Sequence, residues 1–153
     1  MIRNETEYQE AVNRLNAERI RISVHRARLR KSGLTPMQLK RALDPLKSFH
    51  LQLAEEVEGY ERLKRGDIGE LKNLHGLGRA LVAARIAKGL TQRELAKRLG
   101  VDESQVSRDE RNDYHGVTVE RASRILDAMG VEALTDLHVE TGDSKGSRRM
   151  VEA

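Results

Sequence analysis

The chain has 153 residues, of which 38% are apolar and 34% charged, with a net charge of +4, no cysteine, no tryptophan and one phenylalanine. That length suits one small domain with an accessory element, or two small domains; so few aromatics argue against a β-sandwich. Without cysteine there are no disulfides or thiolate metal sites, and no apolar run approaches the roughly 20 residues of a membrane span.

The start, Met1-Ile2-Arg3-Asn4-Glu5, has no apolar stretch of the secretory kind, so a cytoplasmic location and no membrane partner are expected. The positive charge gathers in residues 1–65, which hold 14 basic and 9 acidic residues. A modest basic bias fits a nucleic-acid partner but does not establish one.

Residues 1–65 predict a helical hairpin. Asn4-Glu5-Thr6-Glu7 has the form of a capping box, and Tyr8, Leu15, Ile22 and Leu29 then recur every seven residues, with Val12 beside them. Gly33 closes this helix, and Thr35-Pro36-Met37-Gln38 opens a second with Pro in its first turn. Leu39, Leu46, Leu53 and Tyr60 repeat the period, and Pro45 should restart or kink the helix with Asp44 as cap. Two such stripes form an antiparallel pair. They are either the internal core of the hairpin or a surface for a homodimer or partner protein.

Residues 66–76 read as a linker, part of a Gly-rich run (Gly66, Gly69, Gly76, Gly78) whose flexibility would let the following domain move. Residues 77–137 are the compact domain. Residues 138–153 lose periodicity and read as a flexible tail, most clearly over Gly142–Ser147.

Within the domain, Leu77, Leu81 and Ala84 keep helical spacing and Gly89 ends the helix. Thr91-Gln92-Arg93-Glu94 is a full capping box with Leu95, Ala96 and Leu99 inward; Gly100 then breaks the helix and Val101 covers the turn. Asp102-Glu103-Ser104-Gln105 caps a further helix around Val106. Two short helices joined by a Gly turn are what a helix-turn-helix requires, with a small Ala96 where they cross. On a wheel of about 100° per residue, Glu103, Asp109 and Glu110 lean inward with Val106, while Ser104, Arg108 and Arg111 point away, flanked by Gln105, Ser107 and Asn112. Any surface helix has a polar outer face. This one joins two arginines to amide and hydroxyl groups, the side chains that pair with base edges and phosphates.

Leu90-Thr91-Gln92-Arg93-Glu94-Leu95-Ala96, Leu99-Gly100-Val101 and Gln105-Val106-Ser107-Arg108 resemble the Cro/CI-type (XRE) repressors. The resemblance implies an all-α, five-helix domain that docks its second and third helices on double-stranded DNA, usually as a dimer. By position, Gln92 would grip a phosphate, Glu103, Ser104, Gln105 and Arg108 would face bases or nearby phosphates, and Asn112 would meet the backbone. The resemblance also implies a structural pair between Arg85 and Glu110. The outward wheel face adds Ser107 and Arg111 as DNA-binding candidates, and Arg93 adds a further cation next to Gln92. Two departures stand out: Asp109 occupies a usually aliphatic position, and Arg111–Gly116 replaces a common Gly-containing helix end. More loosely, Ile2-Arg3-Asn4-Glu5 with Tyr8 and Ala11, and Glu58–Gly66, resemble HigA-type antitoxins, which would imply a partner toxin and repression of a shared operon. The alternatives are a module whose main role is neutralising a toxin, and a phage-type repressor without one.

The run Arg19, Arg21, Arg26, Arg28, Arg30 and Lys31 has no acid within it and could follow DNA backbone or be a solvated helix face. The five histidines lie far apart without zinc-ligand spacing, and no phosphate loop or nucleophile elbow is present. No metal, no cofactor and no enzymatic activity are expected.

Overall fold

The computed structural model describes residues 1–138, and these form six α-helices: α1 Glu5–Lys31, α2 Pro36–Lys64, α3 Leu77–Ala87, α4 Gln92–Leu99, α5 Glu103–Arg111 and α6 Val119–Met129. The run Gly142–Ser147, and all of the expected tail but His138, lie outside the described residues.

α1 starts where the Asn4 side chain accepts the Glu7 N–H at 2.8 Å. The Glu7 carboxylate accepts from the Arg3 N–H instead of the Asn4 N–H, so the capping arrangement reaches one residue further back than the sequence suggests. The helix ends at Ser32, and Gly33 turns the chain at φ +71°, a region open to glycine at no steric cost. Thr35 and Gln38 form a reciprocal capping box at the head of α2. Pro45 neither restarts nor divides that helix: α2 is continuous, and Asp44 is a mid-helix residue, not a cap. The proline withholds one N–H from the carbonyl a turn earlier. Leu43, only 2% exposed, anchors the same turn.

The two helices pack as an antiparallel pair whose apolar seam is thin. α1 buries no residue fully, and α2 buries Leu43, Val57 and Tyr60. At the open end Tyr8 stacks on Tyr60 with ring centroids 5.1 Å apart, the Tyr8 hydroxyl donates to Glu61 at 2.7 Å, and Lys64 pairs with Glu5 at 3.1 Å.

This end of the hairpin is built into the domain. Ile2, Val57 and Tyr60 belong to the same buried cluster as Leu81, Val82, Leu95, Val106, Ile125 and Met129. Residues 66–76 form no helix, and the hairpin base that precedes them is packed against α3. Heptad spacing reveals a stripe but not the partner of its last turn, and Ile2 precedes any periodic pattern. Gly78 belongs to α3: a Cβ there would stand 1.8 Å from the Asp113 carbonyl oxygen, so the glycine permits a close approach of two backbones.

α3 to α6 enclose the core. α3 contributes Leu81 to Ile86, α4 Leu95 and Ala96, α5 Val106, and α6 Ala122, Ile125 and Met129. Among the described residues the domain has four helices, α3 to α6, where the resemblance implies five. After Gly130 the described chain runs without helix to His138, with Leu134 and Leu137 each 87% exposed. No described helix is long and apolar enough to cross a membrane.

Candidate nucleic-acid interface

The two-helix unit follows from local chemistry. The Thr91 hydroxyl accepts the Glu94 N–H at 3.1 Å, and the Glu94 carboxylate accepts both the Thr91 N–H at 2.7 Å and the Thr91 hydroxyl at 2.8 Å; these last two bonds, the backbone one first, hold the Glu94 carboxyl below its usual range. Gly100 ends α4 at φ +69°, and the Val101 N–H closes onto the Ala96 carbonyl at 3.0 Å. Val106, 2% exposed, seats α5 beside the fully buried Leu95. Asp102 occupies the N-cap of α5, but its side chain makes no capping hydrogen bond.

The outer side of α5 carries Ser104, Arg108 and Arg111 in the open, with Asn112 exposed at its C-cap and Gln105 and Ser107 half-buried beside them. The Arg108 guanidinium donates back to the Ser104 carbonyl at 3.3 Å, along its own helix. Glu103, which the wheel turned inward, is exposed: it is the first residue of α5 and stands about 60° round the helix from Val106. Arg93 is exposed at the head of α4. Gln92 is half-buried, and its amide donates to Glu110 Oε2 at 2.8 Å, leaving one N–H and the carbonyl oxygen for another contact.

Beneath this face lies a buried ion pair. Arg85 is 3% exposed and Glu110 wholly enclosed, and the guanidinium meets the carboxylate edge-on, Nε to Oε1 and Nη2 to Oε2, the latter at 2.7 Å. Two more Arg85 N–H groups reach the Leu90 carbonyl at 2.7 Å and the Arg3 carbonyl at 2.8 Å. A buried charge pair needs such added hydrogen bonds to offset its desolvation. Asp109 is half-buried at its unusual position and pairs with Arg121 of α6, so an ion pair closes that edge of the core where an aliphatic contact would otherwise do so.

The end of α5 is held from outside the helix. Asp113 and Tyr114 both take left-handed backbone conformations, φ +48° and +49°, strained for residues with side chains. Arg3 of the hairpin donates to the Arg111 carbonyl at 3.4 Å and to Asp113 at 3.2 Å, and Arg79 pairs with the other Asp113 oxygen at 3.1 Å. Burial alone would raise the Asp113 carboxyl; hydrogen bonds from Arg79 and Arg3 overcome it and hold the group below its usual value. Burial, then the charges of Glu110 and Asp109, pushes the Tyr114 phenol well above its usual range. Arg3, Arg79 and Arg121 were not among the sequence-derived site residues. The only hint of Arg3 was its place beside an apolar Ile2 just ahead of a cap, and nothing local marks the other two. Among the described residues no three histidine, aspartate or glutamate side chains gather in a metal-holding group.

A helical pair with a left-handed glycine turn, seated on an all-helical core and presenting arginine, serine and asparagine outward, defines a DNA-binding unit. Residues 81–134 match the family described as Helix-turn-helix, and this stretch is a Cro/CI-type (XRE-family) helix-turn-helix domain, the DNA-binding part of a transcription regulator. The match does not reach the N-terminal residues that resemble HigA-type antitoxins. No curated protein and no solved structure matches the chain.

Proposed function

We propose that the protein is a sequence-specific repressor that lays α5 in the major groove of double-stranded DNA and works as a cytoplasmic homodimer without catalytic activity. The observation that carries this reading is the outer face of α5: Ser104, Arg108, Arg111 and Asn112 are exposed on a helix whose inner face is anchored by Val106 and the Arg85–Glu110 pair. Arg108 and Arg111 read base edges, with Gln105 and Ser107 at their flank and Glu103 and Ser104 at the entry turn. Gln92 gives its spare N–H to a phosphate, Arg93 lies on the same strand, and Asn112 meets the backbone at the far end. One such unit touches few base pairs, so specificity comes from two units on half-sites roughly 34 Å apart. Residues 4–64 supply the dimer contact. Leu46 and Phe49 are exposed and Leu53 is half-buried along one flank of α2, apolar surface that a second copy would cover.

A second reading, an antitoxin whose hairpin neutralises a toxin and whose domain represses the shared operon, draws on the same thin seam and exposed apolar side chains. Footprinting on the protein's own promoter, with and without the product of the adjacent gene, tests both. Protection of two half-sites supports the repressor, a change in protection with the neighbour's product supports the antitoxin, and no protected site at low salt refutes DNA-directed regulation of that promoter.

A further inference from the structure

The distal half of the hairpin is far more basic than the rest of the chain. Residues 19–50 hold nine lysines and arginines and one carboxylate, Asp44, and no ion pair among the described residues involves any of them. Cations in the last turn of α1 are favoured there by the helix dipole, which accounts for Arg28, Arg30 and Lys31 but not for Arg19 or Arg21.

The outward side of α1 adds a second feature. At about 100° per residue, Ile20, Val24 and Ala27 share one face, and it is opposite the Leu15–Ile22–Leu29 stripe that meets α2. Ile20 is 63% and Val24 54% exposed, so an apolar ridge stands in the open, rimmed by exposed Arg21, Arg28 and Lys31. We infer that this face of α1 docks an acidic protein segment, one that offers apolar side chains to Ile20 and Val24 and carboxylates to the surrounding cations.

Two other occupants fit less well. A second copy laid face to face would set Arg21, Arg28 and Lys31 against their own kind, a costly juxtaposition in an interface. Duplex DNA would satisfy the cations but offers phosphate, not apolar surface, to the ridge. To run from the reading helix along α1 it would also have to pass Glu5, Glu7 and Glu10, which line the cleft beside Gln92. The inference rests on the hairpin being a contact element and not on DNA recognition by α5, so the two fail separately.

The test titrates the full-length protein with two labelled probes. One is a synthetic helical peptide carrying leucines at helical spacing flanked by glutamates; the other is poly-L-glutamate of equal length. The variants are R21E/R28E and I20S/V24S, all at exposed positions, with thermal unfolding confirming that the fold is kept. The peptide is expected to bind the wild type in a salt-dependent manner, more tightly than poly-L-glutamate. Each double variant should weaken it about tenfold, with operator affinity unchanged. Equal binding of poly-L-glutamate, or peptide binding indifferent to both variants, overturns the inference. So does a loss of random-duplex binding in R21E/R28E, which would assign the face to DNA, or the break-up of a wild-type dimer by either variant, which would assign it to a second copy.

Discussion

Arg85 and Arg3 are joined by a hydrogen bond from a guanidinium to a main-chain carbonyl, 2.8 Å long, and through it the N-terminal segment touches the same side chain that holds Glu110 of the reading helix. The Arg3 side chain continues to the far end of that helix, at the Arg111 carbonyl and Asp113. The orientation of α5 is therefore set partly by residues from the other end of the chain.

Removing one member of the Arg85–Glu110 pair leaves the other charged and buried without its counter-charge. Glu110→Ala should cost about 3–5 kcal/mol in unfolding free energy, whereas the paired change Arg85→Met with Glu110→Leu should recover much of that loss. Urea titrations of the single and double variants check this. A Glu110→Ala loss under about 1 kcal/mol would show the pair to be solvent-screened.

Gly59 and Gly78 both lie within helices and should respond in opposite directions to alanine. Nothing lies within 4 Å of a Cβ at position 59, so Gly59→Ala should stabilise by about 0.5–1 kcal/mol through helix propensity. At position 78 the Cβ would drive into the Asp113 carbonyl, and Gly78→Ala should destabilise by about 1–3 kcal/mol despite the same propensity gain. Thermal melts of the two variants decide it; stabilisation of both would mean that α3 and the Asp113 turn do not approach so closely.

Asp113 links acid pH to the shape of the end of α5. Its carboxyl is held below the ordinary value in the folded state, so at a given acid pH the group binds fewer protons when folded than when unfolded. Its contribution is fully present above the unfolded value, about 3.9, and is lost as pH falls through the lower folded value. Stability measured between pH 6 and pH 2 should therefore fall less steeply for Asp113→Asn than for the wild type. Parallel curves would separate Asp113 from acid unfolding.

Arg108 and Gln92 should divide specificity from grip. Arg108→Ala is expected to cost about 1–3 kcal/mol on the operator and to relax preference at one base pair. Gln92→Ala should weaken operator and random duplex alike, as a phosphate contact does. Competition binding at two salt concentrations separates these outcomes, and a uniform loss for Arg108→Ala would move it to the backbone.

Phe49 lies 48% exposed on the flank of α2, with the Arg14 guanidinium 4.9 Å from its ring centre. Phe49→Asp should shift the full-length protein from dimer to monomer in sedimentation while leaving its melting midpoint nearly unchanged, since no core contact is lost. A dimer that survives the substitution would place the contact elsewhere.

The elements themselves were legible in the residues. Capping boxes at Thr35 and Thr91, left-handed glycines at 33 and 100, and apolar periodicity around Leu95 and Val106 act within one or two helical turns, so a linear reading contains them. The outward set on α5 followed from helix geometry once Val106 was placed inside. Tertiary structure decided the rest, because those effects couple positions far apart in the chain. Ile2 and Arg3 join the core of a domain that begins some 75 residues later. Asp109 finds Arg121 across a helix boundary, and Gly78 is required by a carbonyl at position 113. Gln92 turns toward Glu110, and Pro45 is carried by one unbroken helix. Local sequence shows where a helix begins and which side is apolar; apart from the Arg85–Glu110 pair, which the family resemblance implied, it does not show which distant groups will share an ion pair or a tight backbone contact. That is settled only when the helices have packed.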